Sequence, residues 1–341
     1  MEAMNSKGGP AMARISRWWQ AAAVVGLAAA LAAAPACRFP VAQSRSPSTQ
    51  AKLDKARQYM EQGLSDYALA AFEAALRDNP DLTEAHLGMG EIQEQRGDLR
   101  GAKARYETAA ETDPQSFTAH YKLGLMQQLL GELRDAIRTY LRAVAIDPDD
   151  FAVNRDLAAA YLQLGRPEEA LPYAERAIGL DAASQQAWSN LAAAYSLLGR
   201  YEEAVNTYRQ AAELGDLADP VLLGLSDAHI KLGNYRRAIN TLETLSRRSP
   251  SSTAYERMGY ARYKLRRFEE ALNSFEQALE YNDRDVAALN GVGVSLMTLY
   301  IESGRQNASR RERAVAAWRK SIRIDPDQPR IVDLLSRYAR I

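Results

Sequence analysis

Ala187-Trp188-Ser189-Asn190-Leu191-Ala192-Ala193-Ala194-Tyr195, followed by Gly199-Arg200-Tyr201-Glu202-Glu203-Ala204, is the stretch from which the fold can be read. Its apolar residues fall at helical spacing on both sides of Gly199, and glycine is the residue that ends one helix and permits a turn into the next. Helix, turn and second helix therefore follow one another. The same arrangement recurs along the chain. Ala204 belongs to a column with Ala68, Ala102, Ala136, Ala170, Ala238, Ala271 and Ala314. Ala192 belongs to a second, small column with Ala56, Gly90, Gly124, Ala158, Ser226, Gly259 and Gly293. Gly63, Gly97, Gly131, Gly165 and Gly233 repeat the turn glycine, and Pro80, Pro114 and Pro148 close successive units at 34-residue intervals. Phe72, Tyr106, Tyr140, Tyr208, Leu242, Phe275 and Trp318 place a large residue four positions after the alanine, with Ala174 as the small exception. Small residues in register with large ones mark the points where two helices approach closely.

These columns resemble the tetratricopeptide repeat, whose pattern is W-x₂-L-G-x₂-Y, then Ala, an aromatic and Pro over 34 residues. The resemblance covers residues 49–327 as eight units: 49–82, 83–116, 117–150, 151–184, 185–218, 219–251, 252–285 and 286–327. It implies an all-α, right-handed superhelical solenoid of eight helix-turn-helix repeats. Two units depart from the pattern. The connection into the seventh is one residue shorter, and the eighth carries nine extra residues around Ile301 to Arg313, read as a lengthened helix pair or a mobile loop. Residues 328–341, with Ile331, Leu334, Leu335 and Tyr338 on one helical face, read as a capping helix over the last repeat.

Composition agrees with a packed array. The 341 residues are 47% hydrophobic and 25% charged, ordinary globular values that exclude a disordered chain. The 43 basic and 43 acidic residues cancel, which argues against bulk nucleic-acid binding. One cysteine rules out an intramolecular disulfide framework, and three histidines leave few ligands for zinc.

The N-terminal segment differs in character. Lys7, Arg14 and Arg17 precede a 14-residue apolar run, Ala21 to Ala34, which is short for a bilayer span and right for a secretory signal. Ala34-Pro35-Ala36 supplies a small-x-small cleavage site, and Cys37 follows it directly, so residues 1–36 read as a signal peptide. This placement resembles a bacterial lipoprotein signal and implies lipidation of Cys37. The leucine of that pattern is replaced by Ala34, and cleavage by the general signal peptidase is the alternative. Residues 37–48, rich in Pro and Ser, read as a flexible tether. An exported protein of the periplasm or cell envelope, anchored to a membrane, is expected.

The resemblance implies binding rather than chemistry: first helices of successive repeats line a concave groove for a peptide or helix. By analogy with the family, groove residues include Leu53, Arg57, Glu91, Tyr121, Gln128, Arg155, Asp227, Lys231, Glu256, Tyr260, Tyr263, Lys264 and Asn290. A lysine and asparagine clamp for a terminal carboxylate is missing from the matching places. From Lys231 to Arg267 there are 10 basic and 2 acidic residues. Arg257, Arg262, Arg266 and Arg267 form a basic cluster with nearby tyrosines, read either as a receiver for an acidic segment or as a solvated helix face. His86 and His120 share a column in adjacent repeats and His229 replaces a tyrosine; all three read as structural. No catalytic or metal motif appears, so no enzyme activity and no cofactor are expected. The expected function is a scaffold for protein partners in assembly of an envelope complex, monomeric and without nucleic acid. The alternative is a regulatory or substrate-recruiting subunit of a separately encoded enzyme such as a glycosyltransferase or protease.

Overall fold

The computed structural model describes residues 46–215 and 218–339. The residues read as a signal peptide and the expected lipidation site, Cys37, lie outside these residues, as does all of the expected tether but its last three. Among the described residues there are seventeen α-helices and no strands. The first four hairpins are α1 (Pro47–Glu61) with α2 (Ser65–Asp78), α3 (Thr83–Gln95) with α4 (Leu99–Thr112), α5 (Phe117–Leu129) with α6 (Leu133–Ile146), and α7 (Phe151–Gln163) with α8 (Pro167–Leu180). The next four are α9 (Gln185–Leu197) with α10 (Tyr201–Glu213), α11 (Asp219–Lys231) with α12 (Tyr235–Arg248), α13 (Ser252–Lys264) with α14 (Phe268–Tyr281), and α15 (Val286–Glu302) with α16 (Ala308–Ile324). Each hairpin packs on the next, so the array is a solenoid, and α17 (Pro329–Tyr338) lies against the last hairpin. Helix α1 starts two residues inside the segment expected to be tether.

Local chemistry accounts for these boundaries. Gly199 adopts φ 75° between α9 and α10, a left-handed conformation that a side chain disfavours. Arg266 holds the equivalent turn at φ 61°, at a cost of about 1 kcal/mol relative to glycine. Five first helices, α5, α7, α9, α13 and α15, open on side-chain caps: Asp150 accepts from the Val153 amide at 2.9 Å and Asp285 from Ala288 at 3.0 Å. Each cap satisfies one of the amides that a helix start leaves without an intrahelical partner.

The recurring small and large columns meet inside each hairpin. A Cβ on Gly124 would stand 2.7 Å from the Tyr140 ring, and one on Gly90 would stand 2.6 Å from Tyr106. Glycine there lets the helices close on a fully buried aromatic ring. In the fourth repeat Ala158 faces Ala174 instead, and half-buried Tyr173 and Tyr195 pack around that small core.

The nine added residues of the eighth repeat resolve into a lengthened helix pair. Compared with the seventh hairpin, α15 gains four residues, the turn two and α16 three.

The shared column of His86 and His120 has a physical explanation. His86 Nε2 donates to the Pro80 carbonyl at 2.9 Å, and His120 Nε2 donates to that of Pro114 at 3.1 Å. Asn154 and Trp188 make the same bond, to Pro148 and Ala182, each at 2.9 Å. Any residue with an N–H at that reach fastens the preceding turn, so histidine here replaces the indole. His229 is a different case, buried with Nδ1 unpartnered. Burial, with Arg209 and Arg237 nearby, holds its imidazole below the usual histidine pKa. Between about pH 6.5 and that lowered value the unfolded chain takes up a proton that the folded chain refuses, so stability falls on acidification. His229→Tyr, which restores the column's tyrosine, is expected to flatten this part of the pH dependence in thermal melts; an unchanged profile would contradict it.

Candidate protein-binding groove

The first helices from α5 to α15 pack on one another in succession, and the tetratricopeptide resemblance puts the inner, groove-lining face on one side of these helices and of α1 and α3. Side chains one helical turn apart share that side. Leu53 is not among them: it is fully buried with Ala56, Phe72 and Ala85, because the first repeat lacks a large residue at its neighbouring core position. Arg57 is exposed and bridges Asp54 at 3.0 Å and Glu84 of the next repeat. Glu91 is exposed on α3.

Repeats three to five carry a polar network. The Tyr121 hydroxyl donates to Asp156 at 2.9 Å, and Arg155 donates to both oxygens of Asp156 at 2.7 and 3.0 Å. Burial, then the Asp156 charge, pushes the Tyr121 phenol well above its ordinary value. Hydrogen bonds to the same carboxylate raise the Arg155 guanidinium. Gln128 accepts from the Tyr140 hydroxyl at 2.9 Å and donates to Gln163 at 3.2 Å. Asn190 donates to the Arg155 carbonyl at 3.0 Å. These two sets of hydrogen bonds, one centred on Asp156 and one on Gln128, together tie α5, α6, α7 and α9.

Around it the inner face is apolar, with Leu125, Ala159, Leu162 and Ala193 half-buried. Leu129 and Leu197 end α5 and α9 at 57% and 58% exposure. Sequence reasoning missed both leucines and Asp156. An apolar residue in the last turn of a first helix, two positions before the turn glycine, was the available signal for the leucines. An acid amid the alanines of α7 was the signal for Asp156.

Toward the C-terminal end the structure separates residues that adjoin in sequence. Asp227 pairs with Arg257 at 2.5 Å, while burial raises its carboxyl against the pull of that guanidinium. Lys231 is exposed one turn further along α11. Tyr260 is 42% exposed and meets Tyr235 edge-on at 6.5 Å. Lys264 lies 6.0 Å above that Tyr235 ring. The Tyr263 hydroxyl shares a hydrogen bond with Thr298 at 3.2 Å, and Asn290 donates to Gln328 at 2.6 Å.

The four arginines of the expected basic cluster are each drawn to a different carboxylate. Arg262 turns away from the groove to Ser274 at 2.7 Å and Glu243 at 3.1 Å. Arg266 reaches Glu302 at 3.0 Å, and Arg267 braces Glu270 at the start of α14 at 2.7 Å. With Arg257 on Asp227, each of the four guanidiniums already has its carboxylate. Among the described residues no group of three or more His, Cys, Asp or Glu side chains could hold a metal ion. No described helix is long and apolar enough to cross a membrane.

Stacked hairpins with a continuous inner face define a helical-repeat protein of the interaction-scaffold class. Family profiles described as tetratricopeptide repeat match residues 53–102 and 93–151, 139–171, 163–218 and 199–258, and 252–285. The chain belongs to the tetratricopeptide repeat family. Among solved structures, a tetratricopeptide repeat protein from Parabacteroides merdae ATCC 43184 is 18% identical, with TM-score 0.52 over 74% of this chain and 100% of its own. The APC/C hetero-tetramer Cut9-Hcn1 matches at 16% identity and TM-score 0.56, over 84% of this chain and 55% of that one. Pseudomonas aeruginosa pilF matches at 19% identity and TM-score 0.50, over 60% and 94%. Such identities establish a shared fold. A search of the curated proteins returned no match.

Proposed function

We propose that this protein is a non-catalytic scaffold of the cell envelope that binds peptide or helical segments of partner proteins along its inner face during assembly of an envelope complex. The observation that carries the binding reading is the exposure of Leu129, Leu197 and Tyr260 on a face whose central polar groups are already satisfied. A partner covering those side chains gains their apolar area without displacing internal hydrogen bonds. The envelope reading rests on the signal-like run ending at Ala36 and on Cys37, whose acylation would supply the anchor.

Crosslinked capture from an envelope extract tests the binding reading, with the full chain and its Leu129→Asp, Leu197→Asp variant as paired baits. A protein held by the native chain and lost by the variant is the expected result. Equal capture by both baits would remove these leucines from the interface. For the anchor, Cys37→Ala is expected to abolish labelling by radioactive palmitate and to release the protein in soluble form; undiminished labelling would overturn the tether.

A further inference from the structure

Charges on the inner face are unequally satisfied. Arg57 is bridged to carboxylates, Lys122 meets Glu94 at 3.2 Å, and Arg155 is held by Asp156. Glu256, half-buried in the second turn of α13, has neither a hydrogen bond nor an ion pair among the described residues. Its near neighbour Arg257 is directed at Asp227. Asp285, which caps α15 and accepts from Ser252 at 2.6 Å, adds a third carboxylate beside it. Lys231 is the remaining cation facing Asp227 from α11. Burial raises the Glu256 carboxyl, Arg257 opposes that only in part, and Asp285 and Asp227 reinforce it. Tyr260 stands one turn along the same face of α13, and on α11 the half-buried Leu223 and Ile230 lie one helical turn before and after Asp227.

The geometry points to a partner segment that sets a lysine or arginine side chain against Glu256 while its apolar residues cover Tyr260, Leu223 and Ile230. This assignment rests on the inner face being the binding surface, and it gives the partner the opposite charge from the acidic segment that the basic cluster implied. A partly dehydrated carboxylate without donors gains most from a ligand that brings N–H groups and positive charge together. The Tyr260 ring adds a face on which the same cation can lie. An acidic side chain entering there would meet Glu256, Asp227 and Asp285 as like charges.

Fluorescence anisotropy with the full chain provides the test. The probes are labelled leucine-containing peptides of one sequence, differing only in flanks of Lys, Gln or Glu. Lys-flanked probes are expected to bind about tenfold more tightly than Glu-flanked ones. Glu256→Gln should erase that preference while leaving the Gln-flanked probe unaffected, and Glu256→Lys should invert it. A Lys preference that survives in Glu256→Gln, or a native preference for Glu flanks, would overturn the assignment. Binding that requires Leu197 but ignores flank charge would overturn it and leave the groove intact. Failure of every probe to bind the native chain would overturn both.

Discussion

Trp318→Ala is expected to destabilise the C-terminal end of the array by about 3–5 kcal/mol, the range for removing a fully buried large aromatic. Trp318 has no exposed surface and sits in one cluster with Leu296, Met297, Tyr300 and Ile331. The glycine at 293 exists to admit its ring, so alanine would leave a void that the rigid backbones of α15 and α16 close poorly. Stacked repeats touch only their neighbours, so the loss should concentrate locally. Hydrogen exchange is expected to accelerate in α15, α16 and α17 while α3 to α8 keep their protection. Uniform acceleration across all repeats, or a loss below about 1 kcal/mol in urea melts, would contradict this account. Trp318→Phe should cost less, because the indole N–H is buried without a partner and its removal relieves that penalty.

Asp156→Ala carries the second large effect, about 2 kcal/mol, because one carboxylate serves two helices. Its loss leaves the Tyr121 hydroxyl without its acceptor and the Arg155 guanidinium without its counterion. Breaking a fully buried ion pair costs about 3–5 kcal/mol, and partial solvation of Arg155 reduces that figure here. Asp156→Asn keeps an oxygen for Tyr121 and loses only the charge, so it should fall between native and alanine in thermal melts. Equal stability of all three proteins would mean that water replaces the network at no cost. The same loss should loosen the junction of α5, α7 and α9, where the central groove is built.

Much of the fold is legible in sequence because it depends on steric rules that act over a few residues. A turn glycine and a small residue facing a large one each act within one hairpin, and their recurrence through eight hairpins, with Arg266 and Ala174 as the departures, makes the pattern unmistakable. Leu53 shows where column reasoning fails: in the first repeat a groove position is drawn into the core because the usual core residue there is Lys55.

By itself the sequence determined the number of hairpins, their turns, the buried columns and the extra length of the eighth repeat. Tertiary structure alone decided which charges remain available to a ligand. Arg262 finds Glu243 19 residues away and Arg266 finds Glu302 36 residues away, so a run rich in arginine becomes a set of intramolecular ion pairs. Glu256, one acid among many cations in sequence, ends without a donor. Helical periodicity sets the side of a helix on which a residue lies, whereas charge pairing depends on the rotation and distance of the neighbouring helix, and these are set when the cores pack.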